Sequence, residues 1–320
     1  MLNVLFLMLG VVLLTLGGES LLRGALGAAR RLGVSQLLSG LLIVGFGTSM
    51  PELAVTVDAA LSNRPDIAIG NIVGSNIGNI LLILGLCAMI APMSVQRLAL
   101  QRDAVTVIAA SLLFVVLVGG SALARPDAFI LLMAFFGYLA WAIWTEQAGA
   151  TPIAELHRAE SEEVSAVPQS IALVVSLVVV GLLLLVGGSQ VMLKGAIGLA
   201  EQLGVSEAVI GLTLVAVGTS LPELSITIVA AVRRHADVAI GNILGSNIFN
   251  LLGILGISAL LQPLPVHARV LQFDQWVMLG SAILLFVFLY TGRRLSRPEA
   301  ALLLGLYAGY LVASFTIFGN

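Results

Sequence analysis

Apolar residues run through this chain in blocks of about 20, the length a helix needs to cross a bilayer core, and polar residues collect between the blocks. The pattern predicts ten spans, near 2–21, 35–61, 69–91, 103–122, 127–145, 169–192, 206–231, 240–261, 273–291 and 299–318. Short alternating strands of the outer-membrane barrel type are absent from the pattern. The one long polar connection, 147–168, is acidic and bracketed by proline, and reads as a solvated linker. The opening run "MLNVLFLMLGVVLL" has no basic region before it, so it reads as a retained span and not as a cleaved signal.

The pattern is also written twice. "LGVSQLLSGLLIVGFGTSMPEL" at 32–53 matches "LGVSEAVIGLTLVAVGTSLPEL" at 203–224. "DIAIGNIVGSNIGN" at 66–79 matches "DVAIGNILGSNIFN" at 237–250, with 11 of 14 positions identical and the same offset of 171. The chain therefore reads as a first five-helix repeat over 1–146, the linker 147–168, and a second repeat over 169–320. An odd number of spans per half makes the second half enter the membrane from the opposite side. The expected fold is an all-α polytopic membrane protein of ten transmembrane helices arranged as two inverted repeats, an organisation typical of secondary transporters.

Composition agrees with a membrane protein: 59% of the 320 residues are hydrophobic, 10% are charged, and the mean hydropathy is +1.09. A soluble domain carries about 25% charged residues. The net charge of −2 is less informative than its distribution. With the amino terminus outside, the inner connections hold 11 Arg and the outer ones hold Arg64, Arg125, Lys194 and Arg269, which is 4. That bias predicts a multi-pass protein of the cell (inner) membrane with both termini outside and the linker in the cytoplasm. Trp141 and Trp144 then fall at the inner interface and Trp276 at the outer one. Cys87 is the only cysteine, so no disulfide forms within the chain, and its apolar setting reads as packing.

Against this apolar background, "GTSMPE" at 47–52 and "GTSLPE" at 218–223 stand out in the second and seventh spans. Pro51 and Pro222 each remove a backbone donor and clash with the preceding turn, so these helices should break. Freed carbonyls in hydrocarbon are costly unless they face a polar cavity. Thr48, Ser49 and Glu52, with Thr219, Ser220 and Glu223, supply polar side chains beside each break. A lone mid-bilayer carboxylate costs several kcal/mol, so two at symmetric positions call for a cation or protons. In the third and eighth spans Ser75 and Asn79 share a helix face, as do Ser246 and Asn250. Asn71, Asn76, Asn242 and Asn247 are expected to bond backbone or cap helix ends. Inverted symmetry would gather the carboxylates, amides and hydroxyls at the midplane between the broken helices. All donors there are oxygens, whereas His157, His235 and His267 fall in connections. Such a set suits a hard cation, since Ca²⁺ takes about 6–8 oxygen ligands. Asp58, whose counterpart is Val229, reads as an access-path or interfacial residue.

At these residues the chain resembles the cation/Ca²⁺ antiporter superfamily, most closely the Na⁺/Ca²⁺ exchangers of prokaryotic type. The resemblance covers all ten spans and implies the ten-helix inverted fold. It further implies that Glu52 and Glu223 coordinate Ca²⁺ with the carbonyls of Thr48 and Thr219. Ser49, Ser75, Ser220 and Ser246 would serve Na⁺ with the carbonyls of Gly45 and Ala216, and Asn79 and Asn250 would complete the centre. Some relatives carry Asp at the position of Asn250, so Asn here argues against potassium dependence.

The expected function is therefore a secondary antiporter exchanging Ca²⁺ for Na⁺ by alternating access, with a Ca²⁺/H⁺ or other cation/H⁺ exchanger as the alternative. No enzyme is expected, because no His, Cys or Lys accompanies the Ser and Glu residues at depth. The expected partners are the two ions and the lipid bilayer, with no cofactor, no nucleic acid and no evident protein partner.

Overall fold

The computed structural model describes residues 2–97, 99–148, 170–202 and 216–318. Among them the chain is almost entirely helical. Its helices are α1 Leu2–Leu32, α2 Gln36–Thr48, α3 Met50–Leu61, α4 Pro65–Ile90, α5 Leu100–Gly120 and α6 Arg125–Ala148. The second half holds α7 Ile171–Gln202, α8 Leu221–Val232, α9 Ala236–Leu261, α10 Val270–Gly292 and α11 Arg297–Phe318. A helical turn, Ala216–Thr219, comes before α8. Seven of the described helices are long and apolar enough to cross a membrane, or up to eight if α2 and α3 form one interrupted span. The first part of the expected span 206–231 falls on residues 203–215, outside the described ones. So does the linker 147–168 apart from its first two residues.

Helix ends follow local chemistry. α1 runs past the expected residue 21 and stops before Gly33, whose φ of +68° puts it in the left-handed region that glycine occupies freely. The Val34 amide then reaches back to the Ala29 carbonyl at 3.0 Å, closing the turn. Ser35 caps α2 by accepting from the Leu38 amide at 3.0 Å. Pro65 sits at the start of α4, where its missing N–H has no partner to lose.

The chain forms two compact units, Met1–Thr48 with Gly137–Asn242, and Ser49–Phe136 with Ile243–Asn320. In the first unit α1 and α7 pack closely along their lengths. A Cβ on Gly10 would lie 2.5 Å from Met192 Cβ, one on Gly17 would lie 2.8 Å from the Leu185 amide, and one on Gly24 would lie 2.8 Å from Val178 Cγ2. The partner number falls as the α1 number rises, so the two helices run antiparallel. Gly181, Gly188 and Gly195 of α7 make the matching approaches to Leu21, Leu13 and Asn3. Small residues at such contacts let helix backbones approach where the hydrophobic effect offers no help.

In the second unit α4 carries most of its residues buried, as does the long helix α9 that passes into this unit. Two short antiparallel ladders tie connections together: β1 Met93–Ser94 with β4 Arg294–Leu295, and β2 Ala122–Leu123 with β3 Leu264–Pro265. Each ladder continues in one further bond, Val95 N–H to Arg293 O and Val266 N–H to Ser121 O, both 2.9 Å. The pattern of apolar runs does not announce these two-residue strands.

Candidate functional site

The expected breaks occur, but at serine instead of proline. Ser49 has φ −82° and ψ 10°, and Ser220 has φ −89° and ψ 8°, so both leave helical geometry and enter the bridge region. Pro51 and Pro222 follow in the first turn of the next helix, which each ring favours. The ring clashes with the preceding turn, so the interruption moves upstream. Helical bonding resumes at once, from the Leu53 amide to Ser49 O and from the Leu224 amide to Ser220 O.

π-helical stretches fall at several of the expected site residues in each unit. Gly40–Gly45 ends at the expected carbonyl donor Gly45, Asn79–Leu84 opens on Asn79, and Phe249–Ile254 contains Asn250. A π-bulge widens the turn and often accompanies a functional residue.

The first unit contains Gly45, Thr48, Ala216, Thr219, Ser220 and Glu223. Thr48 is buried, and its hydroxyl lies 3.0 Å from Val44 O, 3.4 Å from Gly45 O and 3.2 Å from Asn242 Oδ1. Asn242 in turn donates from Nδ2 to Thr227 Oγ1 at 2.8 Å and to the Glu223 carbonyl at 3.3 Å. Thr227 donates to the same carbonyl at 2.6 Å. One network therefore joins the end of α2 to the first turn of α8 and holds Glu223, which is only 1% exposed.

The second unit contains Ser49, Glu52, Ser75, Asn79, Ser246 and Asn250, all buried. Glu52, also 1% exposed, has the same support as Glu223. Asn71 Nδ2 donates to Thr56 Oγ1 at 3.0 Å and to the Glu52 carbonyl at 3.4 Å. Asn71 and Asn242 thus bond backbone, one of the two roles expected of them. Thr56 and Thr227 escaped notice in the sequence, although each stands four residues after its glutamate. Asn79 and Asn250 donate to Asn247 Oδ1 at 2.9 Å and to Asn76 Oδ1 at 3.2 Å. The Oδ1 atoms of Asn79 and Asn250 are buried acceptors that meet no hydrogen-bond donor among the described residues.

Asp58 is exposed near the end of α3. Arg102, expected in a connection, is instead buried at the start of α5, because Asp103 beside it compensates the charge. Its Nε lies 2.6 Å from Asp103 Oδ1. Among the described residues no group of three or more His, Cys, Asp or Glu side chains gathers to hold a metal.

The family of the sodium/calcium exchanger protein matches over residues 2–144 and again over 173–316. The putative antiporter CaxA of Alkalimonas amylolytica is 35% identical over 317 residues, covering 98% of each chain. The sodium/calcium exchanger MaX1 of Methanosarcina acetivorans is 33% identical over 351 residues, covering 98% of this chain and 99% of that one. A structure of the sodium-calcium exchanger NCX_Mj, soaked with 2.5 mM Na⁺ and 0.1 mM Ca²⁺, superposes with a TM-score of 0.82. Its identity is 31%, over 99% of this chain and 98% of that one.

Proposed function

The chain belongs to the sodium/calcium exchanger protein family, and from that premise we propose that it is a secondary antiporter exchanging Ca²⁺ for Na⁺ by alternating access. The observation that carries this reading is the pair of glutamates, Glu52 and Glu223, each 1% exposed within the same repeated motif. With both ionised they hold two negative charges. One Ca²⁺ neutralises these, and so do two Na⁺. An uncompensated pair would be expensive to enclose at low dielectric, so the protein closes around its ions and re-opens loaded more readily than empty. That asymmetry produces exchange in place of leak.

In this reading Ca²⁺ is held by Glu52, Glu223 and the carbonyls of Thr48 and Thr219. Na⁺ uses Ser49, Ser75, Ser220 and Ser246 with the carbonyls of Gly45 and Ala216, and the amide oxygens of Asn79 and Asn250 complete the ligand set. Ten spans in two inverted halves, joined by 147–168, form the frame. The antiparallel α1 and α7 support it, as does the separate family match to each half. The Arg and Lys distribution supports an inner-membrane orientation with both termini outside. The relatives MaX1 and NCX_Mj are sodium/calcium exchangers, which supports sodium coupling here.

Proton coupling is the competing reading, because a buried carboxylate can carry a proton in place of a metal ion. Purified protein in proteoliposomes separates the two. Ca²⁺ uptake should follow an outward Na⁺ gradient and should not follow a pH gradient alone.

A further inference from the structure

Four buried asparagines in the second unit form a closed set, and their donors and acceptors can be assigned one after another. A backbone carbonyl only accepts. Asn247 Nδ2 lies 3.4 Å from the Asn76 carbonyl oxygen, so Asn247 must turn its amide nitrogen that way. Its Oδ1 then faces elsewhere and accepts from Asn79 Nδ2 at 2.9 Å. With its nitrogen engaged, Asn79 keeps Oδ1 as a buried acceptor that finds no donor. The mirror chain has the same logic. Asn76 Nδ2 lies 3.4 Å from the Asn247 carbonyl oxygen, Asn76 Oδ1 accepts from Asn250 Nδ2 at 3.2 Å, and Asn250 Oδ1 is left without a donor. Reversing any one amide would set two nitrogens or two oxygens against each other. All four residues are 1% exposed, so bulk solvent does not reach them.

Buried polar oxygens without a donor are rare and expensive, and they ask for a ligand. Resting on the antiporter reading above, we propose that Asn76 and Asn247 are positioning residues. Asn247 holds the Asn79 oxygen, and Asn76 the Asn250 oxygen, in the orientation that accepts the transported cation. Each positioning residue acts on the ligand from the other half of the sequence. The orientation of a cation ligand on α4 therefore depends on α9, and the reverse holds equally. Partners that orient a ligand in this way commonly contribute 10- to 100-fold in metal affinity, on the order seen when they are removed.

Coupled substitutions test the assignment through Ca²⁺ uptake in proteoliposomes, with KM and kcat read separately. N247A should raise the KM for Ca²⁺ by roughly tenfold or more, with a smaller effect on kcat. Once N79A has removed the oxygen that Asn247 orients, adding N247A should change KM by less than about twofold. N76A should behave in the same way with N250A. The crossed pairs, N247A with N250A and N76A with N79A, should multiply. Size-exclusion profiles establish that each variant folds, and N247S is the milder replacement if N247A does not. An N247A effect of full size in the N79A background, or equal coupling in the crossed pairs, overturns the assignment. A wild type that moves no Ca²⁺ overturns the antiporter reading itself.

Discussion

Arg102 is the most unexpected residue in the chain. It is 1% exposed, its neighbour Asp103 is 0% exposed, and Nε and Nη2 of the guanidinium reach Oδ1 and Oδ2 at 2.6 and 3.1 Å. As a positive charge between two apolar runs it read as part of a connection, since the pattern alone does not tell a buried pair from a solvated one. The clue was the repeat. Asp103 has an acid counterpart in Asp274, which is also buried and is held by Arg269 at 3.1 Å and by the Tyr310 hydroxyl at 3.1 Å. Arg102 itself aligns with Phe273, so each half satisfies its acid differently. Removing one member of a buried pair costs about 3–5 kcal/mol, whereas replacing both with apolar groups costs far less. D103A should therefore lower the melting temperature in detergent steeply, and R102M/D103L should lie much closer to wild type. Equal losses in the two variants would show that the ion pair is not what holds this site.

At the scale of elements, the motif around each glutamate was legible because proline, hydroxyl and carboxylate are all unusual in an apolar run. The position of the break was less so. Proline was expected to mark it, but the interruption falls at Ser49 and Ser220, because the ring's clash is with the turn before it. The α1 and α7 interface was written in the sequence as Gly10, Gly17, Gly24 and Gly181, Gly188, Gly195, each series spaced by seven. Hydropathy treats glycine as nearly neutral, so close packing leaves little trace in it. A Cβ on Gly181 would lie 2.6 Å from the Leu21 amide nitrogen, which is backbone and cannot step aside. G181V should destabilise the protein by about 1–3 kcal/mol or more. On α6, where Gly137 has nothing within 4 Å of an added Cβ, G137A should be neutral or slightly stabilising. Matched melting curves of the two variants would check this, and similar losses would argue against close α1–α7 packing.

For the molecule as a whole, the doubling of the chain was visible from two matched segments at one offset. The structure adds that helix ends repeat as well. Asn63 and Arg234, 171 residues apart, both adopt positive φ, at 55° and 62°. Each follows its motif helix and turns the chain toward the next span. Beside Arg234 lies His235, half-buried within hydrogen-bond range of Gln36 at 3.4 Å. Burial pushes its imidazole below the usual value of 6.5. The Glu19 carboxylate pulls it back up in part, and Arg233 adds to the depression. The folded state thus resists the proton more than the unfolded chain does. This group costs no stability above pH 6.5, and stability falls as pH drops from 6.5 toward the lower folded value. Melting temperatures between pH 7.5 and about 5.5 should show that fall in wild type and a flatter profile in H235Q; parallel profiles would remove His235 as the cause.

The proposed exchange depends on Glu52 and Glu223 carrying Ca²⁺ against Na⁺ together. It is tested most directly by Ca²⁺ uptake into proteoliposomes loaded with Na⁺ and diluted into Na⁺-free medium, for wild type, E52Q and E223Q. Wild type should show rapid uptake that vanishes without the Na⁺ gradient and that a pH gradient does not restore. Each glutamine variant should fall to the level of protein-free vesicles. Uptake driven by pH alone, or an active E52Q/E223Q double variant, would contradict it.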